Sequence, residues 1–220
     1  LPYLTVLKTT DSLAAAANLT DYSVAAQDGL AATNVVLDSL STLVNGDYLL
    51  VGAPRRFRGA QVDVEAANPN GTASVLTVDY WNGTVWVDIT ATDGTIAPAG
   101  VTMGQDGDVT WTVPSTWARA TLAEIGAAGG DVPVAVTDRR RHAPWFWTRW
   151  SVSVALDAAT RLDGLMALAE STAYAEIISG EKVELVAPKG FGGVAGVEAL
   201  TDQGTANLLV NCAAGPKGFV

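Results

Sequence analysis

The sequence predicts a mostly β protein, built as an antiparallel β-sandwich of the jelly-roll or immunoglobulin-like kind. Short stretches in which apolar and polar residues alternate recur along the chain, which is the pattern of half-buried strands. Asn-Gly and Asp-Gly pairs, both typical of tight turns, separate many of these stretches. Segments with helical periodicity are few and short. Closely spaced strands with frequent turns pack as two antiparallel sheets.

The clearest local signal is a hairpin centred on Asn82-Gly83. Residues 74–81 and 84–89 alternate in polarity on either side of this pair. Asn and Gly both tolerate positive φ, so the pair favours a two-residue turn between antiparallel strands. That turn predicts the cross-strand pairs Tyr80–Val85, Val78–Val87 and Leu76–Ile89. One face of the hairpin is then apolar throughout.

Two further segments have a clear period of two. Residues 57–66 alternate between apolar side chains and charged or amide ones, which predicts a strand with one buried face. Residues 145–156 form a strand dense in aromatic residues. Their alternation places Trp145, Trp147 and Arg149 on one face, and Phe146, Thr148, Trp150, Val152 and Val154 on the other.

Composition divides the chain into three predicted parts: an N-terminal arm at 1–34, a β-sandwich core at 35–157 and a β-rich C-terminal extension at 158–220. Inside the extension, the patterns predict a short helix at 162–174, a strand at 182–186 and a hairpin at 194–210. Isolated short strands are marginal in water. We therefore expect these ends either to pack on their own sandwich or to add to the sheet edge of a neighbouring subunit.

Charge and composition exclude several classes of function. Lys and Arg number 13 against 23 Asp and Glu, which gives a formal net charge of −10. Nucleic-acid binding depends on Lys and Arg that neutralise phosphates, so no nucleic-acid partner is expected. A membrane-spanning helix needs a run of about 18 apolar residues, and the sequence contains none. One cysteine, Cys212, excludes a disulfide framework within a single chain.

Residue sets for catalysis or cofactor binding do not stand out. A Ser-His-Asp triad needs a histidine base, and the single histidine, His142, sits in a charged run before a proline. Four aspartates beside turns leave a paired-carboxylate or calcium site as the weaker alternative: Asp88, Asp93, Asp106 and Asp108. Aspartate at a β-turn usually serves the turn itself. We predict a non-enzymatic protein with no catalytic residues, no cofactor and no metal site.

Seven tryptophans give the sequence its strongest functional hint. Tryptophan in strands usually packs in the core, but it also anchors protein interfaces and stacks on sugars. The candidate interface or glycan-facing residues are Trp81, Trp86, Trp145, Arg139, Arg140 and Arg141. The three arginines are typical of a solvated loop. In an acidic chain they also suit an acidic patch on a neighbouring subunit.

Several short motifs in the middle of the chain follow one another in a fixed order. They are a Tyr-x-Asn-Gly-x-x-Trp hairpin from Tyr80 to Trp86, an Asp-Gly-Thr turn at Asp93, a Trp-x-x-Pro-x-x-Trp segment from Trp111 to Trp117, and a Trp-x-Arg strand at Trp147. This order resembles a loose family of β-sandwich structural proteins of tailed bacteriophages. The match covers about half of the chain and leaves out both ends.

The resemblance implies a structural component of a virion, with no catalytic residues to carry over. Such domains decorate heads, form fibres, or belong to tails and baseplates. We expect capsid decoration first, with other virion subunits and copies of the same chain as partners. A tail or baseplate protein is the near alternative. The rival from another class is a carbohydrate-binding module for host glycans, which would need exposed and roughly coplanar tryptophans.

Overall fold

The computed structural model describes residues 4–14, 18–30, 32–38, 40–126 and 143–170. Within these residues the chain forms two antiparallel sheets packed face to face, which confirms the predicted mostly β sandwich. The first sheet has the spatial order β2 (Leu19–Asp21), β1 (Thr5–Thr9), β4 (Tyr48–Ala53), β11 (Trp145–Val152), β6 (Leu76–Trp81) and β7 (Trp86–Asp88), with β10 (Arg119–Ala120) also paired to β11. The second has the order β3 (Val35–Val36), β12 (Arg161–Ala169), β5 (Phe57–Val64), β9 (Gly107–Thr110) and β8 (Thr92–Asp93).

The core between the sheets contains the aromatic residues that the alternation directed inward. Trp150 on β11 is 1% exposed, and Phe57 on β5 is fully buried. The Phe57 ring lies 5.1 Å from that of Trp117 and 5.4 Å from that of Trp111, in tilted and edge-on arrangements. Aromatic pairs of this kind stabilise a core by about 0.5–1.5 kcal/mol each beyond their burial. The predicted faces of β5 and β11 are therefore confirmed.

The predicted hairpin is present, but its register differs from the one expected. Tyr80 pairs with Val87, and Trp81 pairs with Trp86, so the connecting loop has four residues instead of two. The Asn82 side-chain oxygen accepts the backbone N–H groups of Thr84 and Val85, both at 2.9 Å. These two bonds stabilise the longer loop. All three predicted pairs, Tyr80–Val85, Val78–Val87 and Leu76–Ile89, are therefore wrong. Tyr80 and Val87 still face inward, because the shift is by two residues.

Both ends of the described chain contribute strands to the sandwich. Strand β1 is buried along its whole length and pairs with β4, so residues assigned to the N-terminal arm lie inside the first sheet. Strand β12 pairs with β5 along nearly its full length. It occupies residues for which the sequence predicted a short helix, and that prediction is wrong. The strand at 182–186 and the hairpin at 194–210 lie outside the described residues.

The first sheet also has apolar side chains on its outer face. Leu7, Leu50 and Trp147 are fully buried there, under a short helix α1 (Leu122–Ile125) that follows β10. Thr121 begins α1 with a capping box, in which its side chain accepts the Glu124 N–H and the Glu124 carboxylate accepts the Thr121 N–H. The half-buried aromatic residues of this face form the candidate functional site.

Candidate interaction surface on the first sheet

A buried ion pair lies at the centre of this face. Arg149 on β11 is directly opposite Asp79 on β6. Its Nε and Nη2 atoms donate to the same carboxylate oxygen of Asp79, at 3.0 Å and 2.7 Å. The two side chains are 18% and 10% exposed. Charge-assisted hydrogen bonds of this length are strong, and at this burial they hold the guanidinium in one position.

Two aromatic rings enclose the Arg149 guanidinium. Its central carbon lies 4.9 Å from the centre of the Trp86 ring and 5.8 Å from that of Tyr48. Both distances are within the range of cation–π attraction. Burial raises the pKa of the Tyr48 hydroxyl, and the positive charge of Arg149 opposes that rise. The guanidinium therefore joins β4, β7 and β11 on one surface.

Trp147 lies fully buried on the same face of the first sheet. A Cβ atom at Gly52, its direct partner on β4, would overlap the Trp147 ring, so the absence of a side chain at position 52 lets the indole lie flat on the sheet. The Trp147 indole N–H donates to the Ala120 carbonyl at 2.8 Å. Trp145 stacks beside Trp147 with 25° between the ring planes. Trp145 is half-buried and extends the aromatic area towards solvent.

These residues define what we call the outer aromatic surface: the half-buried Trp81, Trp86, Trp145 and Arg149, with Tyr48 buried against the Arg149 guanidinium. Trp, Tyr and Arg are the residue types that carry most of the binding energy in protein interfaces. The ion pair and the packed rings fix their positions before any partner binds. Little ordering cost then remains for binding. The surface is thus suited chemically to protein–protein contact.

The same geometry fits sugar stacking poorly. Trp81 and Trp86 lie 5.5 Å apart, but their planes meet at 67°. Both rings are half-buried. The nearly parallel pair, Trp145 with Trp147, has one ring that is completely buried. The described tryptophans therefore lack the exposed coplanar pair that the carbohydrate-binding alternative requires.

The turn aspartates serve local structure. Asp93 accepts the backbone N–H and the hydroxyl of Thr95, and also the hydroxyl of Thr102. Asp88 accepts the Thr90 N–H, and Asp106 accepts the Val64 N–H. The bonds from Thr90 to Asp88 and from Thr95 to Asp93 are those that turn chemistry predicts, whereas Asp106 bonds to the neighbouring strand β5. In the described part of the chain, no group of three or more His, Cys, Asp or Glu side chains is placed to hold a metal ion.

Three of the six predicted site residues can be located. Trp81, Trp86 and Trp145 all belong to the apolar cluster on the outer face of the first sheet. Arg139, Arg140 and Arg141 lie outside the described residues, as do His142 and Cys212. Sequence reasoning missed the pairing of Arg149 with Asp79. The alternation of the sequence did place Arg149 on one strand face with Trp145, and Asp79 on one strand face with Trp81.

The chain has no match among protein-family models, curated proteins or solved structures. The resemblance to β-sandwich proteins of tailed bacteriophages therefore stays a prediction. Among the helices in the described ranges, none has the length and apolar character needed to cross a membrane.

Proposed function

We propose that this chain is a non-enzymatic structural subunit of a tailed virus particle, placed on the head as a capsid decoration protein. Its role is to bind neighbouring virion subunits. The outer aromatic surface supplies the contact area, and the sandwich supplies a rigid support for it.

One observation carries the proposal. Three of the motifs that make up the bacteriophage resemblance, the hairpin, the Trp-x-x-Pro-x-x-Trp segment and the Trp-x-Arg strand, are separated in sequence, but hydrogen bonds join them. The Trp117 indole N–H donates to the Trp147 carbonyl at 3.1 Å, and the Tyr80 hydroxyl lies 2.8 Å from the Thr116 hydroxyl. The Trp111 indole N–H donates to the Phe57 carbonyl at 2.9 Å. The ordered motifs thus act as a signature of how this sandwich is held together, which supports a likeness of fold and of role.

The outer aromatic surface supports an assembly role independently of the resemblance. Half-buried Trp81, Trp86 and Trp145 are costly to leave facing water, because aromatic side chains gain free energy when buried. A fixed cation beside them gives the surface directional specificity. Both properties suit a contact repeated in many copies on a particle.

Immunogold labelling tests the proposal. Particles of the bacteriophage that encodes this chain would be imaged by negative stain with an antibody raised against the full chain. We expect gold distributed over the head surface. Gold confined to the tail or baseplate would move the protein to the near alternative. Particles without gold, with the chain also missing from their protein content, would contradict a virion role.

A glycan array with the purified chain tests the alternative that it is a carbohydrate-binding module. We expect no binding, because the described rings do not form an exposed coplanar platform. Specific binding that is lost in a Trp145→Ala variant would favour a carbohydrate-binding module instead.

A further inference from the structure

One end of the sandwich concentrates arginines. Arg55 and Arg56 lie in the turn between β4 and β5, Arg58 follows on β5, and Arg119 begins β10. Arg56 donates to the carbonyls of Ser115 and Trp117, and Arg119 donates to that of Pro54. These bonds fix two guanidinium groups near the tips of separate loops. We call these four residues the arginine end.

Two guanidinium groups of the arginine end contact the same aromatic ring. Those of Arg56 and Arg119 lie 5.4 Å and 5.1 Å from the centre of the same Phe146 ring. Arg55, Arg58 and Arg119 are exposed. Ion pairs within the described residues join Lys8 to Asp38 and Arg149 to Asp79, and neither involves these arginines. Glu170, which follows β12, adds one carboxylate near this end, so positive charge dominates among the described residues there.

The opposite end of β5 is acidic. Asp63 lies near the end of β5, opposite Gly164 on β12, so Asp163 is next to its partner position. Asp106 is close to the same end, because its carboxylate accepts the backbone N–H of Val64 at 2.8 Å. Burial raises the pKa of the Asp63 carboxyl, and the charges of Asp106 and Asp163 raise it further. This repulsion follows from the placement of the three carboxylates at one end of β5. We call them the acidic end.

The two ends face away from each other along one strand. Arg58 and Asp63 are five residues apart on β5, and at about 3.3 Å per residue the strand separates them by about 17 Å. Lys8 and Arg161 also lie towards the acidic end, but Lys8 pairs with Asp38 and Arg161 is half-buried. The sandwich is therefore electrically polar along β5, within a chain whose net charge is −10.

We propose that copies of this chain associate head to tail, with the arginine end of one copy on the acidic end of the next. Complementary charge selects this orientation and penalises like ends. A contact between two different surfaces repeats from copy to copy, so it builds a ring or an open fibre instead of stopping at a dimer. The inference rests on the charge distribution alone and does not depend on a role in a virus particle.

Charge reversal at one end at a time tests this arrangement on the full chain. One variant carries Arg55→Glu with Arg58→Glu, and the other carries Asp63→Lys with Asp163→Lys. Asp88→Lys on β7 is the control, since it changes net charge away from both ends. Sedimentation velocity would be measured at about 0.1 M salt, where charges are screened over about 10 Å, and at about 1 M, where the length is about 3 Å.

We expect the wild-type chain and the Asp88→Lys control to form oligomers at low salt that dissociate at high salt. Each double variant should be monomeric alone, because both of its ends then carry charge of one sign. An equimolar mixture of the two should form oligomers again, through the intact ends and through the reversed ends, since each of these pairs is complementary in charge. A wild-type chain that is monomeric at both salt concentrations would overturn the proposal, and so would double variants that self-associate as well as wild type. If circular dichroism shows that a charge-reversed variant does not fold, neutral variants replace it: Arg55→Gln with Arg58→Gln, and Asp63→Asn with Asp163→Asn. We expect each neutral variant to lose association at low salt.

Discussion

Arg149 donates two hydrogen bonds to a single oxygen of Asp79, the residue directly opposite it on the neighbouring strand. The pair is mostly shielded from water, so removal of one partner leaves the other charge buried without compensation. We expect Arg149→Ala to lower the free energy of unfolding by about 2–3 kcal/mol. Urea denaturation monitored by tryptophan fluorescence measures this change.

Arg58→Ala is the matched control, because Arg58 is exposed on β5 and lies in no ion pair among the described residues. Surface substitutions of this kind change stability by about 0.5 kcal/mol or less. Equal losses in the two variants would show that the Arg149–Asp79 pair has no special role.

The buried indole of Trp150 is expected to contribute most to the core. It is 1% exposed, lies 6.2 Å from the Trp111 ring, and donates to the Thr148 hydroxyl at 2.9 Å. Trp150→Ala leaves a large cavity and should cost about 3–5 kcal/mol of stability. Thermal melting of this variant beside Trp86→Ala, whose ring is half-buried, checks the difference. A smaller loss of stability for Trp150→Ala than for Trp86→Ala would contradict the prediction that Trp150 contributes most to the core.

Gly83 adopts a backbone conformation that other residues rarely take. Its φ is 102°, and a Cβ there would make only an ordinary contact with Ala118. Gly83→Val should therefore cost about 1–2 kcal/mol through backbone strain, not through collision. Thr84→Val, in the same loop, is the control. A melting temperature equal to wild type for Gly83→Val would mean that the loop conformation is wrong.

The raised pKa of Asp63 makes the stability of the protein depend on pH. The ordinary value is 3.8, and burial followed by the charges of Asp106 and Asp163 raises the folded-state pKa above it. Above the folded pKa the Asp63 charge therefore opposes folding. Below 3.8 the residue is protonated in both states and the opposition disappears.

Asp63→Asn should accordingly be more stable than wild type at neutral pH, with the difference shrinking as pH falls through the folded pKa. The effect is small and salt-sensitive because Asp63 is exposed. Asp28→Asn provides the opposite sign, since hydrogen bonds from the Leu30 N–H and the Thr33 hydroxyl lower the pKa of Asp28. Denaturation midpoints from neutral pH to pH 3 or so measure both. The same sign for the two variants would contradict the charge assignment at the acidic end.

Local pattern was enough to predict the parts of the fold that depend on alternation. The faces of β5 and β11 follow from a period of two, because successive side chains in a strand point to opposite sides. The hairpin was found for the same reason. Its register was not, because the Asn82 side chain bonds to two backbone N–H groups and stabilises a four-residue loop where the Asn-Gly pair favours two.

Long-range pairing limited the rest. Strand β1 joins β4 across about forty residues of chain, and β12 joins β5 across about a hundred, and neither end has alternation strong enough to reveal its partner. The outer aromatic surface was half predicted for this reason. Its tryptophans follow from composition, but Arg149 and Asp79 become a pair only when β11 lies beside β6. The arginine end likewise joins Arg56 to Arg119 through tertiary structure alone.

We propose that the outer aromatic surface is the face by which this chain binds other subunits of a tailed virus particle. Tryptophan-selective oxidation, read by mass spectrometry on the free chain and on purified particles, tests it most directly. We predict that Trp81, Trp86 and Trp145 are oxidised in the free chain and protected in the particle, while buried Trp150 reacts in neither. Equal oxidation of those three residues in both samples, or particles that lack the chain, would contradict the claim.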